Sequence, residues 1–151
     1  MITQKQIALV KSSWSYVVND SHRVPPEVST AAQSVGKIFY QRLFELAPGV
    51  RNLFQGEIKF QARKVTNMVT LIVTKLHKLD EIMEEVRSLA VRHNRYGAAP
   101  AHYEVVGQCL LWTLETRLGD KWDDETREAW TAVYGVLANA MIETQAATVA
   151  A

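Results

Sequence analysis

Apolar positions recur along this chain in steps of three and four, the period of helices packed on one face. Ile7, Val10, Trp14 and Val17 form one such stripe within residues 2–18. "NDSHRVPPE" ends it, because Pro25 and Pro26 cannot continue a helix. Pro26 suits the first turn of a second helix, predicted to run to about Leu46. "APGV" bends the chain, and a short turn carries it through Phe54. A third helix is predicted from Glu57 to about Leu79, with the inner stripe Ile58, Gln61, Val65, Met68, Ile72 and Leu76. "LDEIMEEVRSLAVRHNRYG" predicts a fourth, capped by Asp80 and stopped by Gly97. Two more span about Ala101 to Leu118 and about Asp124 to Gln145, the last capped by Asp123. No segment shows the alternation of a strand. The pattern predicts an all-α fold, and 151 residues suit a single domain over 1–151.

Two polar residues interrupt these stripes. Gln61 is the only polar residue on the third helix's inner face. His93 closes the apolar face of the fourth helix, after Ile82, Val86 and Leu89. A buried polar side chain without a partner costs about 1–3 kcal/mol. Each therefore has a hydrogen-bond partner or faces something that is not protein. On the residues alone two readings of His93 stand: a core histidine bonded to a carbonyl, or a ligand. If something flat lies between the two helices, His93 holds one side of it and Gln61 overlooks the other. Tyr40, beside Phe39, Leu43 and Phe44, is either core packing or a third member of such a site.

Composition narrows the chemistry. Hydrophobic content is 48%, charged content 22% and net charge +1, without a block of like charges. That argues against nucleic acid or membrane partners. The first residues lack a signal-peptide core and no run is long enough to span a bilayer, so a cytoplasmic protein is expected. A single cysteine, Cys109, excludes an intramolecular disulfide framework. It lies in the apolar "VVGQCLLW" and reads as an inert buried thiol. His-x-x-x-His and Glu-x-x-His spacings are absent, as are a Gly-rich phosphate loop and a Gly-x-Ser-x-Gly elbow. His22, His77 and His102 read as loop, exposed helix-end and helix-start residues.

Four stretches together carry a family likeness: "IFYQRLFELAPGVRNLF", "FQARKVTNMV", "RHNRYGAAPAHYEVVGQCLL" and "AWTAVYGVLANAMIE". Over nearly its whole length the chain resembles a globin. It looks most like the bacterial single-domain haemoglobins and the haem domain of flavohaemoglobins. The set His93, Tyr96-Gly97, His102-Tyr103 and Val106-Gly107 is specific to that branch. The resemblance implies a globin fold of six to eight helices enclosing haem b, with His93 as proximal iron ligand. It makes Phe54 the ring stacked on the porphyrin, and Tyr40 and Gln61 the distal pair. Val65 becomes the residue pressing over the iron, and Met68, Leu89, Tyr96, Tyr103 and Val106 further haem contacts. Lys64, Arg92 and Arg95 reach the propionates or are simply solvated; both readings stand. A vertebrate-type histidine at the Gln61 position is missing, which argues against two histidines on the iron.

The resemblance also implies function: reversible binding of oxygen, carbon monoxide and nitric oxide at ferrous iron. A hydroxyl or amide donor above the iron, from Tyr40 or Gln61, favours polarised dioxygen over carbon monoxide. Turnover of nitric oxide to nitrate would need an external reductase, since 151 residues leave no room for a flavin domain. The flavohaemoglobin branch pairs a tyrosine, here Tyr103, with a glutamate on the last helix. That position is Gln145, and Glu143 lies about 200° away around the helix. Strong proximal electron push is therefore not expected. Two other readings are a haem-based gas sensor and a haem-free globin-like interaction module.

Overall fold

The computed structural model describes residues 2–18, 31–49, 58–95 and 100–150. Six α-helices stand among them: α1 Gln4–Val18, α2 Ala31–Leu46, α3 Ile58–Thr74, α4 Leu79–Arg95, α5 Pro100–Leu118 and α6 Asp124–Ala150. The described residues contain no strand. The expected start of the second helix at Pro26, and the connection before it, lie outside the described residues.

Local chemistry sets the ends. Thr3 and Gln6 cap α1 reciprocally: the Thr3 hydroxyl accepts the Gln6 N–H at 3.1 Å, and the Gln6 side chain accepts the Thr3 N–H at 3.0 Å. Asp123 caps α6 as expected, its carboxylate accepting the Thr126 N–H at 2.8 Å. Gly119 turns the chain between α5 and α6 with φ +53°, a conformation that side chains resist. The boundary between α3 and α4 differs from the expectation. The Lys75 N–H is shared between the Leu71 and Ile72 carbonyls at 3.2 Å each, so α3 tightens and stops at Thr74. A 3₁₀ turn over Leu76–Lys78 follows, pinned by Leu76, which is buried in the core. Asp80 consequently lies inside the first turn of α4, where with Glu81 it meets the helix dipole, rather than ahead of it as the cap. α6 runs past Gln145 to Ala150, because the Ala-rich tail favours helix.

The main core joins Val10, Trp14 and Val17 of α1 to Val35, Val73, Leu114, Leu118, Trp130 and Val133. Trp14 and Trp130 meet at 5.9 Å between ring centroids. Both indole N–H groups are satisfied, Trp14 donating to Thr70 Oγ1 and Trp130 to Ser13 Oγ, each at 2.9 Å. α3 packs on α2, α4 packs on α6, and α5 touches both α2 and α6. Beyond their joining turn α3 and α4 make only sparse contact with each other among the described residues. The two helices are therefore each held chiefly by a different partner.

Leu114 is fully buried, whereas Leu71 is 40% exposed. Leu114→Ala is expected to cost about 2–5 kcal/mol in denaturant unfolding, and Leu71→Ala about 0.5 kcal/mol or less. Equal losses would contradict this placement of the core.

Candidate functional site

Two apolar clusters hold the described candidate residues. In one, α2 presents Phe39, Tyr40 and Leu43, buried with Cys109 of α5 and flanked by Phe44, Val65, Val105 and Val106. Tyr40 is 7% exposed. Its ring meets Phe39 edge-on at 5.1 Å and stacks on Phe44 at 5.9 Å. Burial pushes the phenol up to about 12, so it remains a neutral O–H donor at physiological pH. Burial also pushes the Cys109 thiol up to about 11, with Arg42 opposing and Glu45 adding to the shift. The thiol is thus protonated and inert, as its apolar surroundings imply.

In the other, Val86 and Ala90 of α4 pack with Tyr103 of α5 and with Ala138 and Met141 of α6. Leu89, Tyr134 and Leu137 flank them. The Tyr134 phenol donates to the Tyr103 carbonyl oxygen at 2.6 Å. Glu143 is exposed, beside Met83 and Arg87 on a surface groove, in keeping with its expected direction away from Tyr103.

The structure brings Tyr40, Val65 and Val106 into one cluster and Leu89 and Tyr103 into the other. Met68 is half-buried one turn along from Val65 and belongs to neither cluster. Lys64 and Arg92 are exposed. Gln61 belongs to α3, and His93 and Arg95 to the last turn of α4; their side chains lie outside the described residues, as do Phe54 and Tyr96 entirely. His77 is exposed as expected and its Nδ1 lies 3.3 Å from the Lys11 ammonium. The predicted inner stripe of α3 is not its most buried face: Thr66 and Val73 are, at 2% and 5% exposure. The cause is the contact with α1 and α2, where Trp14 grips Thr70. Val65 and Met68 are left half-buried beside that face. Sequence reasoning missed Cys109 as part of the Tyr40 cluster and Tyr134 as a partner of Tyr103. The apolar run around Cys109 was the available signal for the first.

The two clusters share α5, and the Tyr40 phenol is held neutral within one of them. Among the described residues no group of His, Cys, Asp and Glu is arranged to hold a bare metal ion. No described helix is long and apolar enough to cross a membrane.

Burial also raises the Tyr134 phenol, so three groups keep protons that the unfolded chain releases. Their contribution to stability is complete below the ordinary thiol value of 9.0 and is lost as pH climbs through about 11 and 12. Tm is expected to be insensitive to these groups up to about pH 9 and to fall steeply above pH 10, less steeply in Tyr40→Phe. An unchanged slope in that variant would contradict the burial of the phenol.

Comparison with known proteins agrees with this architecture. The Globin family model matches residues 37–141. The leghemoglobin of Canavalia lineata is 30% identical over 150 residues, covering 92% of this chain and 93% of that protein. The flavohemoprotein of Bacillus subtilis is 28% identical over 145 residues; the match covers 94% of this chain but 34% of the relative, so the chain spans about a third of that protein's length. A bacterial globin structure from Campylobacter jejuni superposes with a TM-score of 0.79 at 21% identity, covering 99% of this chain and 100% of the other. The chain belongs to the globin family.

Proposed function

We propose that residues 1–151 form one haem-binding globin domain that takes up oxygen reversibly. The observation that carries this reading is the cluster formed by Tyr40, Val65 and Val106: a neutral buried phenol set among apolar side chains of α2, α3 and α5. The haem proteins among the relatives, a leghemoglobin and a flavohemoprotein by name, support it. His93, in the last turn of α4, holds the iron through a neutral imidazole nitrogen. Phe54 and Tyr96 complete the contacts, with Met68 and Leu89, and Lys64 and Arg92 face the propionates. Bound there, haem b would supply a ferrous iron able to take up oxygen, carbon monoxide or nitric oxide, and the means to oxidise nitric oxide to nitrate with dioxygen as the oxidant, a separate reductase returning the iron to the ferrous state.

The chain's own contribution is selective. Tyr40 donates its hydroxyl hydrogen to the gas, and Gln61 offers an amide donor on the same side. A hydrogen bond to a charged or strongly polarised acceptor is worth about 1.5–3 kcal/mol, or about one to two powers of ten in affinity. Phe39, Leu43, Val65 and Val106 keep water scarce, which preserves the strength of that bond. Gln145, an amide rather than a carboxylate, stands at the position of the branch's proximal glutamate, which favours binding over peroxidase-like chemistry.

Added hemin is expected to bind one to one and give a Soret band, and His93→Ala to alter both ferric and ferrous spectra. Unaltered spectra in that variant would remove His93 as the iron ligand. Tyr40→Phe is expected to raise the oxygen dissociation rate about tenfold or more by flash photolysis or stopped flow. An unchanged rate would mean that the phenol does not reach the gas.

A further inference from the structure

On the outer flank of the seam between α4 and α6 lies a groove of about 350 Å³, lined by Met83 and Arg87 of α4 and by Ala140, Glu143 and Thr144 of α6. Residues three and four apart share a helix face, so each helix supplies one edge. Beneath the groove, Val86 and Ala90 pack with Ala138 and Met141 and set the spacing of the two backbones. Arg87 and Glu143 are both exposed, a cation on one edge and a carboxylate on the other. Neither belongs to an ion pair among the described residues, although Glu81, on the same helix as Arg87, engages both Lys75 and Lys78. Met83 and Ala140 add an apolar lining. The Thr144 hydroxyl hydrogen is committed to the Ala140 carbonyl at 2.8 Å.

Opposite charges that share a groove without pairing specify what would fill it. A ligand with one charge satisfies one edge and leaves the other to water. A ligand with a carboxylate at one end and an ammonium at the other satisfies both at once. The planar fork of Arg87 suits a carboxylate, which it can hold by two parallel N–H···O bonds. Glu143 accepts from an ammonium. A short methylene chain between the two ends would cover Ala140 and Met83, whose flexible thioether adapts its shape. We propose that the groove between α4 and α6 binds a small zwitterion of the ω-amino acid class, its carboxylate on Arg87 and its ammonium on Glu143. The site is separate from Tyr40 and its cluster, and the proposal does not depend on haem. Occupancy ties α4 to α6 and stabilises the folded chain by mass action.

The test titrates the full chain, carbon-13 labelled at its methionine methyls, with ε-aminocaproate and follows the Met83 signal by NMR. Caproate and hexylammonium, which keep the chain length and carry one charge each, are the controls. With ε-aminocaproate the Met83 signal is expected to shift and saturate, half-way at about 1–10 mM, as exposed charge contacts on a small ligand allow. Tm is expected to rise at saturation. Each single-charge analogue is expected to bind about threefold or more weakly. Arg87→Gln and Glu143→Gln are each expected to weaken binding about threefold or more. Arg127→Gln, exposed near the start of α6 and outside the groove, is expected to leave it unchanged. Equal binding of caproate or hexylammonium overturns the proposal, because the groove then reads the apolar chain and not the charges. A Met83 signal that stays in place at tens of millimolar overturns it, as does binding that survives both substitutions together. A Met83 signal that moves on dilution of the protein alone also overturns it, since a second copy of the chain then covers the groove.

Discussion

The structure turns on a competition for helix faces. α3 and α4 are consecutive, both amphipathic, and joined by a 3₁₀ turn of three residues, so the simplest packing would lay one on the other. They do not pack that way, because each is held elsewhere. α2 takes α3, with Trp14 of α1 adding a hydrogen bond to Thr70, and α6 takes α4. Leu76, buried in the main core, anchors the turn that joins them. Val65 and Met68 on α3 and Leu89 on α4 are half-buried, Val65 and Leu89 packing into different clusters.

Polarity inside this frame is rationed. The buried hydroxyl of Thr113 turns back to its own helix, donating to the Cys109 carbonyl at 2.8 Å. The Tyr134 phenol is committed to the Tyr103 carbonyl. Burial keeps Tyr40, Tyr134 and Cys109 neutral, since in each case it is the leading cause of the shift. A neutral donor in an apolar wall discriminates between ligands by their polarity and does not bring a charge that water must follow. That property suits a gas site, where the candidates differ little in size.

Much of this was legible from periodicity alone. The stripe Val10, Trp14 and Val17 is the buried face of α1, and Tyr40 does sit with Phe39, Leu43 and Phe44. Local capping chemistry identified Asp123. Contacts distant in sequence were not legible. Trp14 reaches Thr70 across 56 residues and Tyr134 reaches Tyr103 across 31, and no spacing rule encodes either. The end of α3 was misjudged because Leu76 fits the helical stripe equally well as a helical residue or as the plug of a 3₁₀ turn; only the tertiary core decides. Thr66 is buried where a stripe of aliphatics would place a more apolar residue, for the same reason.

Hydrogen–deuterium exchange over the whole chain, with and without one equivalent of hemin, tests the central claim most directly. If the haem site lies between α3 and α4, added protection concentrates in α3, α4 and the first turns of α5, while α1 and the first half of α6 exchange as before. Protection spread evenly over the chain, or none at all, would contradict it.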